Sequence, residues 1–486
     1  MANWYHQLRK LTGYSEFKPG QLETLNNLSE DLNVIAILPT GGGKSLIYQL
    51  YQYESEGVTI IISPLIALMQ DQVAQLQCLG INRAIALNSQ QSSQEKAWII
   101  HHLSRYQFVF LSPEMFQQPE VFQAIKKLQI NLLVIDEAHC ISQWGIDFRP
   151  EYSELGKLRK RLNNPLTLAL SATANQNVRY DIQRFLFQTD EKVSIIQEDI
   201  NRDNIFYAKV ETSEEQRLPV LIEWINQLPK PGIIYVHNKE ELEALKQTLI
   251  EVTDWQIESY HADRSDHDRY IIQQQFRTGL LDIILATSAF GMGINQKNIR
   301  FVIHYHLPTS VEELIQEDGR CGRDGNQSLA LWLVTPNEIG RLSTLKVRNE
   351  DSYQEMKQLL QTSYNHPERF NPIKNQLSEY HQAVLRFYTQ HFNQFSQAEK
   401  HLESYYQSQQ EKISQVQQLL STKQCLRKQL LYSQDNTPSS EQTRCCSNCD
   451  STFLDSDWFQ LYKKRSKRAP KWQRQTWRER LDQLLG

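Results

Sequence analysis

The string Pro39-Thr40-Gly41-Gly42-Gly43-Lys44-Ser45 carries the chemistry of a phosphate site. Glycines let the backbone curl until its N–H groups face phosphate oxygens. A lysine then reaches the β- and γ-phosphates, and the hydroxyl that follows ligates Mg²⁺. Thr40, Gly41, Gly42 and Gly43 would form the cradle, Lys44 the cation and Ser45 the metal ligand. The full pattern G-x-x-x-x-G-K-[ST] asks for glycine where Leu38 stands, and a plain glycine-rich turn is the ordinary alternative. Downstream, Asp136-Glu137-Ala138-His139 follows the apolar run Leu132-Leu133-Val134-Ile135. Carboxylates at the end of a buried strand need a cation or a proton to be tolerated. Asp136 would hold Mg²⁺ through water and Glu137 would activate the attacking water, although such a tetrapeptide alone could be a favourably charged helix start.

Both strings need rigid elements behind them. Val34–Leu38, Val58–Ile62, Phe108–Leu111, Leu132–Ile135 and Leu166–Leu170 read as buried strands, each followed by a loop and an amphipathic stretch. That rhythm is a parallel sheet with helices on both faces. It restarts with Gly232–Val236, Leu281–Ala286, Phe301–His304 and Leu329–Val334, and polar Glu211–Gln216 suits the connection between the two sheets. From about Ser343 the β-branched runs vanish. Val384, Leu385, Tyr388, Phe392 and Phe395 then fall at helical spacing in a glutamine-rich stretch, which predicts a helical bundle.

The chain has 486 residues, 40% of them apolar and 22% charged, enough for several cores. A net charge of −4 provides no bulk attraction for a polyanion, so such a partner would need local basic patches. No apolar run is long enough to cross a membrane and the first residues show no leader pattern, so the expectation is a cytoplasmic, reduced protein. In that setting the four cysteines Cys425, Cys445, Cys446 and Cys449 point to metal more than to disulfides, and Cys446-Ser447-Asn448-Cys449 has the C-x₂-C spacing of a zinc knuckle.

With Ser171-Ala172-Thr173, the phosphate loop and Asp-Glu-Ala-His resemble the core of superfamily-two helicases. Four further strings resemble the RecQ family of ATP-dependent DNA helicases: Gly13–Gln21, Cys140–Pro150, Ala289–Asn295 and Gln316–Gly325. The resemblance spans roughly residues 10 to 335. It implies two tandem RecA-like parallel-sheet lobes, an ATP-binding lobe at 1–205 and a second at 206–342, then a helical, partly degenerate zinc-binding-type region at 343–456; past Asp457 the chain itself turns basic, a tryptophan-containing tail at 457–486. The resemblance implies movement 3′ to 5′ on single-stranded DNA, unwinding of tailed duplexes, and work in repair or recombination; no protein partner is identified.

The same resemblance assigns roles. Tyr14 would stack on adenine and Gln21 would bond its edge, with Lys18 where the family usually has arginine, keeping the charge but losing the planar fork. Arg320 and Arg323, three residues apart and so on one face if helical, would reach the ATP phosphates, Arg323 as arginine finger. An ion pair with Asp318 or Asp324 is the ordinary alternative. Trp144, Phe148 and Arg149 would stack on DNA bases close to the acidic box and couple the two sites. Ser63-Pro64-Leu65 and Ser112-Pro113-Glu114 resemble backbone-contact loops, whereas His261-Ala262-Asp263 departs from the family by a carboxylate that would repel phosphate. Cys425, Cys446 and Cys449 match three of the family's four zinc ligands, and the fourth falls at Thr452, which is no zinc ligand. Cys445 could replace it only with a rearranged loop, Asp450 or Asp455 are further candidates, and a metal-free packed site fits equally. A rival enzyme with this motor would act on RNA, and a binding module with a dead motor would lack Lys44, Asp136, Glu137 or Arg323, all of which are present.

The stretch after Cys449 is too short for the family's winged helix. It carries Lys463-Lys464-Arg465-Ser466-Lys467-Arg468 and then Lys471, Trp472, Arg474, Trp477, Arg478 and Arg480. A charge run is usually a solvated face, but cations interleaved with indoles suit a phosphate backbone and exposed bases. Truncation after Asp457 is expected to weaken duplex binding and flatten its salt dependence while ATPase activity at saturating single-stranded DNA stays nearly intact. Titrations at several salt concentrations check this, and an unchanged slope refutes it.

Overall fold

Among the described residues thirteen short strands, all paired in parallel, build two sheets. The computed structural model describes residues 3–450 except 65, 143–149, 289, 291–295, 367, 369, 371–375, 435 and 437–444. Trp144, Phe148, Arg149, Thr452, Asp455, most of the Ala289–Asn295 string and the basic tail therefore lie outside the described residues.

The first sheet comprises β1 (Asn33–Ile37), β2 (Val58–Ile62), β3 (Ala84–Leu87), β4 (Phe108–Leu111), β5 (Ile130–Ile135), β6 (Thr167–Ser171) and β7 (Val193–Gln197), in the order β3-β4-β2-β5-β6-β1-β7. The second comprises β8 (Ile205–Glu211), β9 (Gly232–Tyr235), β10 (Ile257–Tyr260), β11 (Ile283–Ala286), β12 (Phe301–His304) and β13 (Ser328–Val334), in the order β10-β11-β9-β12-β13-β8. Strands such as β2 and β13 are buried along their whole length. Burial on both faces is why they read as continuous apolar runs rather than alternating ones.

Helices cover both faces of each sheet. On the first, Ile35, Ile60, Val109 and Leu133 face one core, and Val34, Ile61, Phe108 and Leu132 the other, joined there by Ile47 and Leu50 of the helix Lys44–Glu54. Adjacent β5, β6 and β1 bring the ends of three separate segments side by side, which is where open parallel sheets bind ligands.

The connection between the sheets is 198–204, not Glu211–Gln216. Strand β8 pairs with β13 over seven positions, from Ile205 with Ser328 to Glu211 with Val334. The polar residues after it are a helix start. Ser213 caps the helix Glu214–Gln227 by accepting from the Gln216 N–H, and Glu214 and Glu215 sit favourably in its first turn.

Past β13 come the helices Pro336–Asn365, Glu379–His391, Phe395–Ser421 and Leu426–Tyr432. Val384, Leu385 and Tyr388 are buried with Met356, Leu360 and Leu402, and Phe392 and Phe395 pack against them. The end of the long helix does not stand apart: Ile413, Val416 and Leu419 share a core with Trp332 of β13.

One polar knot holds the edge of the first sheet. Arg159, 1% exposed, donates from Nε to Thr167 Oγ1 at 2.7 Å and pairs with Glu191 at 2.6 Å, while Asn33 bridges Glu191 and the Thr167 N–H. Removing one partner of a buried ion pair strands the other. Arg159→Ala is expected to cost about 3 kcal/mol or more in urea unfolding. Lys157→Ala, which deletes an exposed pair with Glu154, is expected to cost under about 1 kcal/mol.

Candidate active site

The phosphate loop leaves β1 at Pro39 and enters the helix at Lys44. Gly41 and Gly43 take φ of 79° and 73°, a left-handed region costly for residues with a Cβ. Gln21 props the loop from behind: its amide donates to the Gly42 and Gly43 carbonyls at 3.1 and 2.9 Å and accepts from the Lys18 N–H at 2.9 Å. Its hydrogen-bonding groups are thus committed to the loop in this state. Lys18 Nζ holds the Gly41 carbonyl at 2.6 Å, and burial with Lys297 and Arg202 nearby lowers its pKa. A cavity of about 480 Å³ beside the loop is lined by Tyr5, Phe17, Lys18, Pro19, Leu22 and Glu23 among others. Tyr14 is 57% exposed.

Asp136 and Glu137 lie at the end of β5, facing Lys44. Lys44 Nζ is 4.0 Å from Glu137 Oε2 and His139 Nδ1 3.4 Å from the same oxygen. Glu137 adopts φ 48°, ψ 48°, a left-handed conformation of about 1–2 kcal/mol cost that the surroundings impose. Burial and the adjacent Glu137 push the Asp136 carboxyl up, whereas Lys44, His139, Arg320 and Arg323 together hold Glu137 down against its burial. Burial lowers the His139 pKa against the opposing pull of Glu137. Ser171 Oγ donates to the Thr173 carbonyl at 2.7 Å, so at 3.0 Å it accepts from His139, which places the ring proton on Nδ1. The Ser171-Ala172-Thr173 string is thereby tied to the acidic box.

The second sheet supplies the opposite wall. The helix Val311–Asp318 ends before the arginines, so Arg320 and Arg323 do not share a helical face; they sit in successive turns, with Gly322 at φ 61° reversing the chain between them. Asp318 accepts from Trp332 Nε1 at 3.2 Å and pairs with His304 Nε2 at 2.9 Å, and Asp324 pairs with Arg300 at 2.6 Å. Neither carboxylate takes up Arg320 or Arg323. Burial, Arg320 and Arg202 bring the Arg323 pKa down to about 10. A Cβ on Gly41 would lie 3.4 Å from Arg323 Cγ, and Thr40 Oγ1 donates to the Gly319 carbonyl at 3.0 Å, so the arginine turn packs directly on the phosphate loop. Arg320 Nε and Glu137 Oε2 are buried without a hydrogen-bond partner among the described residues.

The softer contacts differ among themselves. Ser112 caps the helix Pro113–Gln117, whereas Ser63 Oγ is buried without a partner among the described residues. Asp263 is paired with Lys239, which neutralises the carboxylate expected to repel phosphate.

At the far side of β8, Cys425, Cys445, Cys446 and Cys449 bring four sulfurs within 4.8 Å of one another. Cys445, expected to need a rearranged loop, stands in the cluster: its Sγ is 3.3 Å from that of Cys425, and Cys446 Sγ is 3.9 Å from Cys425. The reason is a strand-like pairing of Cys446 with Tyr207 that turns the segment onto β8, with the Ser447 N–H donating to the Tyr207 carbonyl at 2.8 Å. Tetrahedral zinc–thiolate bonds place sulfurs about 3.8 Å apart, so the donor set fits that ion. Neighbouring thiols hold the Cys446 pKa well below its ordinary range and that of Cys445 well above, and the Leu426 N–H donates to Cys446 Sγ at 3.3 Å. Motif reading misses Arg202, His304 and Arg427, which no local pattern marks; Cys445, expected to serve only with a rearranged loop, is marked by its place beside Cys446.

The DEAD/DEAH box helicase family model matches residues 18–180 and the helicase conserved C-terminal domain model residues 216–325. The chain is 35% identical over 481 residues to the probable ATP-dependent DNA helicase RecS of Bacillus subtilis, covering 97% of this chain and 96% of that protein. It is 37% identical to the ATP-dependent DNA helicase RecQ of Pasteurella multocida over 71% of this chain and 54% of that protein, so it spans about half of that relative's length. In fold it is similar to the helicase Lhr of Mycobacterium smegmatis bound to single-stranded DNA and AMP-PNP, with a TM-score of 0.58 at 18% identity, over 68% of this chain and 47% of that one. Two parallel sheets closing a cleft over a phosphate loop, with these relatives, place the chain in the RecQ/RecS family of ATP-dependent DNA helicases.

Proposed function

We propose that this helicase hydrolyses ATP between its two sheets to drive 3′-to-5′ movement on single-stranded DNA and the opening of tailed duplexes in repair and recombination. One observation carries the assignment of the site: Glu137 from the first sheet and Arg320 from the second each present to the cleft that contains Lys44 a buried polar atom with no hydrogen-bond partner among the described residues. Such atoms are costly unless a ligand completes them.

In this reading Thr40, Gly41, Gly42 and Gly43 cradle the phosphates and Lys44 neutralises the β- and γ-oxygens. Ser45 and Asp136 would hold Mg²⁺, which supplies positive charge to the phosphate oxygens; the buried Asp136 carboxyl, pushed up by burial and by the adjacent Glu137, suits a divalent cation. Glu137 takes the proton of the attacking water, oriented by the His139 ring that Ser171 fixes. Arg323, with Arg320, stabilises the charge on the transferred phosphoryl group. Tyr14 stacks on adenine, with Lys18 and Gln21 completing that end of the site. Trp144, Phe148 and Arg149 take bases of the strand, each stack contributing about 1–3 kcal/mol. Cys425, Cys445, Cys446 and Cys449 hold a zinc ion that fixes the last helices on β8.

Two sets of measurements test this. Lys44→Ala is expected to reduce DNA-stimulated hydrolysis by about 10³-fold, the scale of losing one electrostatic stabiliser, and Glu137→Gln to retain nucleotide binding while turnover stalls. Full activity in Lys44→Ala would sink the assignment. Elemental analysis is expected to find about one zinc per chain, reduced in Cys445→Ser as in Cys449→Ser. Zinc far below that level, or unchanged in Cys445→Ser, removes this ligand set.

A further inference from the structure

Arg202 lies in the 198–204 connection, outside every motif discussed above. Its guanidinium donates to four backbone carbonyls: Nη1 to Thr40 and Gly319, both at 3.3 Å, and Nη2 to Cys321 at 3.3 Å and Gly322 at 2.6 Å. Thr40 belongs to the phosphate loop, and the other three carbonyls alternate with Arg320 and Arg323. One side chain therefore clamps the phosphate loop to the turn that carries both arginines. A planar fork of five donors suits this task, and a lysine, a point donor on a flexible stem, does not.

The clamp is anchored on one side. Asn204 Nδ2 donates to the Gly322 and Asn326 carbonyls at 2.7 and 2.8 Å, and the Ser328 N–H donates to the Asn204 carbonyl at 2.8 Å. The connection thus travels with the second sheet. Arg427, 2% exposed, fixes it further by donating from Nη1 to the Arg202 carbonyl at 2.7 Å and to Asn201 Oδ1 at 2.8 Å, while Nη2 reaches the carbonyls of Ile205 and Cys445. Of these bonds, the one from Arg202 to Thr40 crosses the cleft. It arrives at the same place as the Thr40 Oγ1 bond to Gly319, so the contact between the sheets and the placement of the arginine turn are set by the same residues.

We propose that Arg202 is a positioning residue for ATP hydrolysis: by binding Thr40 together with Gly319, Cys321 and Gly322 it sets Arg320 and Arg323 against the phosphate loop, and Arg427 holds Arg202 in place. This rests on the reading of Arg323 as the arginine that stabilises the transferred phosphoryl group. Because both Arg202 Nη groups are committed to backbone carbonyls, its loss acts on turnover through the arginines and leaves ground-state nucleotide binding nearly unchanged.

The test measures kcat and KM of DNA-stimulated ATPase activity, and binding of a non-hydrolysable ATP analogue, in the full chain carrying Arg202→Ala, Arg202→Lys, Arg323→Ala, Arg427→Ala and Arg202→Ala with Arg323→Ala. Arg202→Ala is expected to lower kcat about 10-fold to 10²-fold, the scale of a small misplacement of a reacting group, with analogue affinity within about twofold. Arg202→Lys is expected to recover only part, which also keeps the test informative if the alanine variant folds poorly. Arg427→Ala is expected to shift kcat in the same direction by less. The double variant is expected to be no slower than Arg323→Ala, since a residue acting through another is not additive with it. Wild-type kcat in Arg202→Ala, or losses that multiply in the double variant, overturns the proposal while leaving the arginine reading intact. Wild-type kcat in Arg323→Ala overturns the arginine reading and this proposal with it.

Discussion

The two sheets meet where the backbone at Gly319 approaches Thr40, and the geometry of the cleft depends on that approach. A Cβ at position 319 would stand 2.4 Å from Thr40 Oγ1. Gly319 has an ordinary φ of −64°, so the position calls for glycine by space and not by backbone conformation. Its carbonyl accepts from Thr40 Oγ1, Arg202 Nη1 and Arg323 Nε at 3.0, 3.3 and 3.4 Å. Any side chain there would part the walls and separate Arg320 and Arg323 from Lys44 and Glu137.

Closing the walls concentrates charge. Lys44, Arg202, Arg320 and Arg323 converge on the region of Asp136 and Glu137, where burial works against the charged forms of both carboxyls and of Arg323. The protein manages this by commitment elsewhere: Asp318 is taken by His304 and Trp332, and Asp324 by Arg300. Facing the cleft are Glu137 Oε2 and Arg320 Nε, buried without a hydrogen-bond partner among the described residues and suited to a polyphosphate and its cation. His304 adds rigidity, stacked on Tyr235 with ring centroids 5.5 Å apart beneath the arginine turn.

The cysteine cluster belongs to the same mechanical unit. Cys446 pairs with Tyr207 on β8, and Arg427, at the start of the helix that follows Cys425, lies 5.0 Å from the Tyr207 ring and reaches back into the connection between the sheets. Ile413, Val416, Cys445 and Cys446 are buried in the core of the second sheet. The last helices are therefore packed on the motor and not strung after it.

Every central strand that was a continuous apolar run was legible, from Val58–Ile62 to Phe301–His304. The four strands that were not, β3, β7, β8 and β10, are the four edges of the two sheets. An edge strand has one unpaired side and keeps polar residues, as Ile257-Glu258-Ser259-Tyr260 does, so the apolar-run signal fades there. The same fading made the real connection at 198–204 look ordinary and the helix start after β8 look like a linker. The sequence by itself determined the groups of local chemistry, Thr40 to Ser45, Asp136 with Glu137, and Arg320 with Arg323, because each depends on residues a few positions apart. Only the tertiary structure decided that Arg202 bridges the phosphate loop and the arginine turn, that Gln21 props the loop, and that Cys445 stands as the fourth sulfur. Those are contacts between segments distant in sequence, made by packing and strand pairing, and no local pattern encodes them.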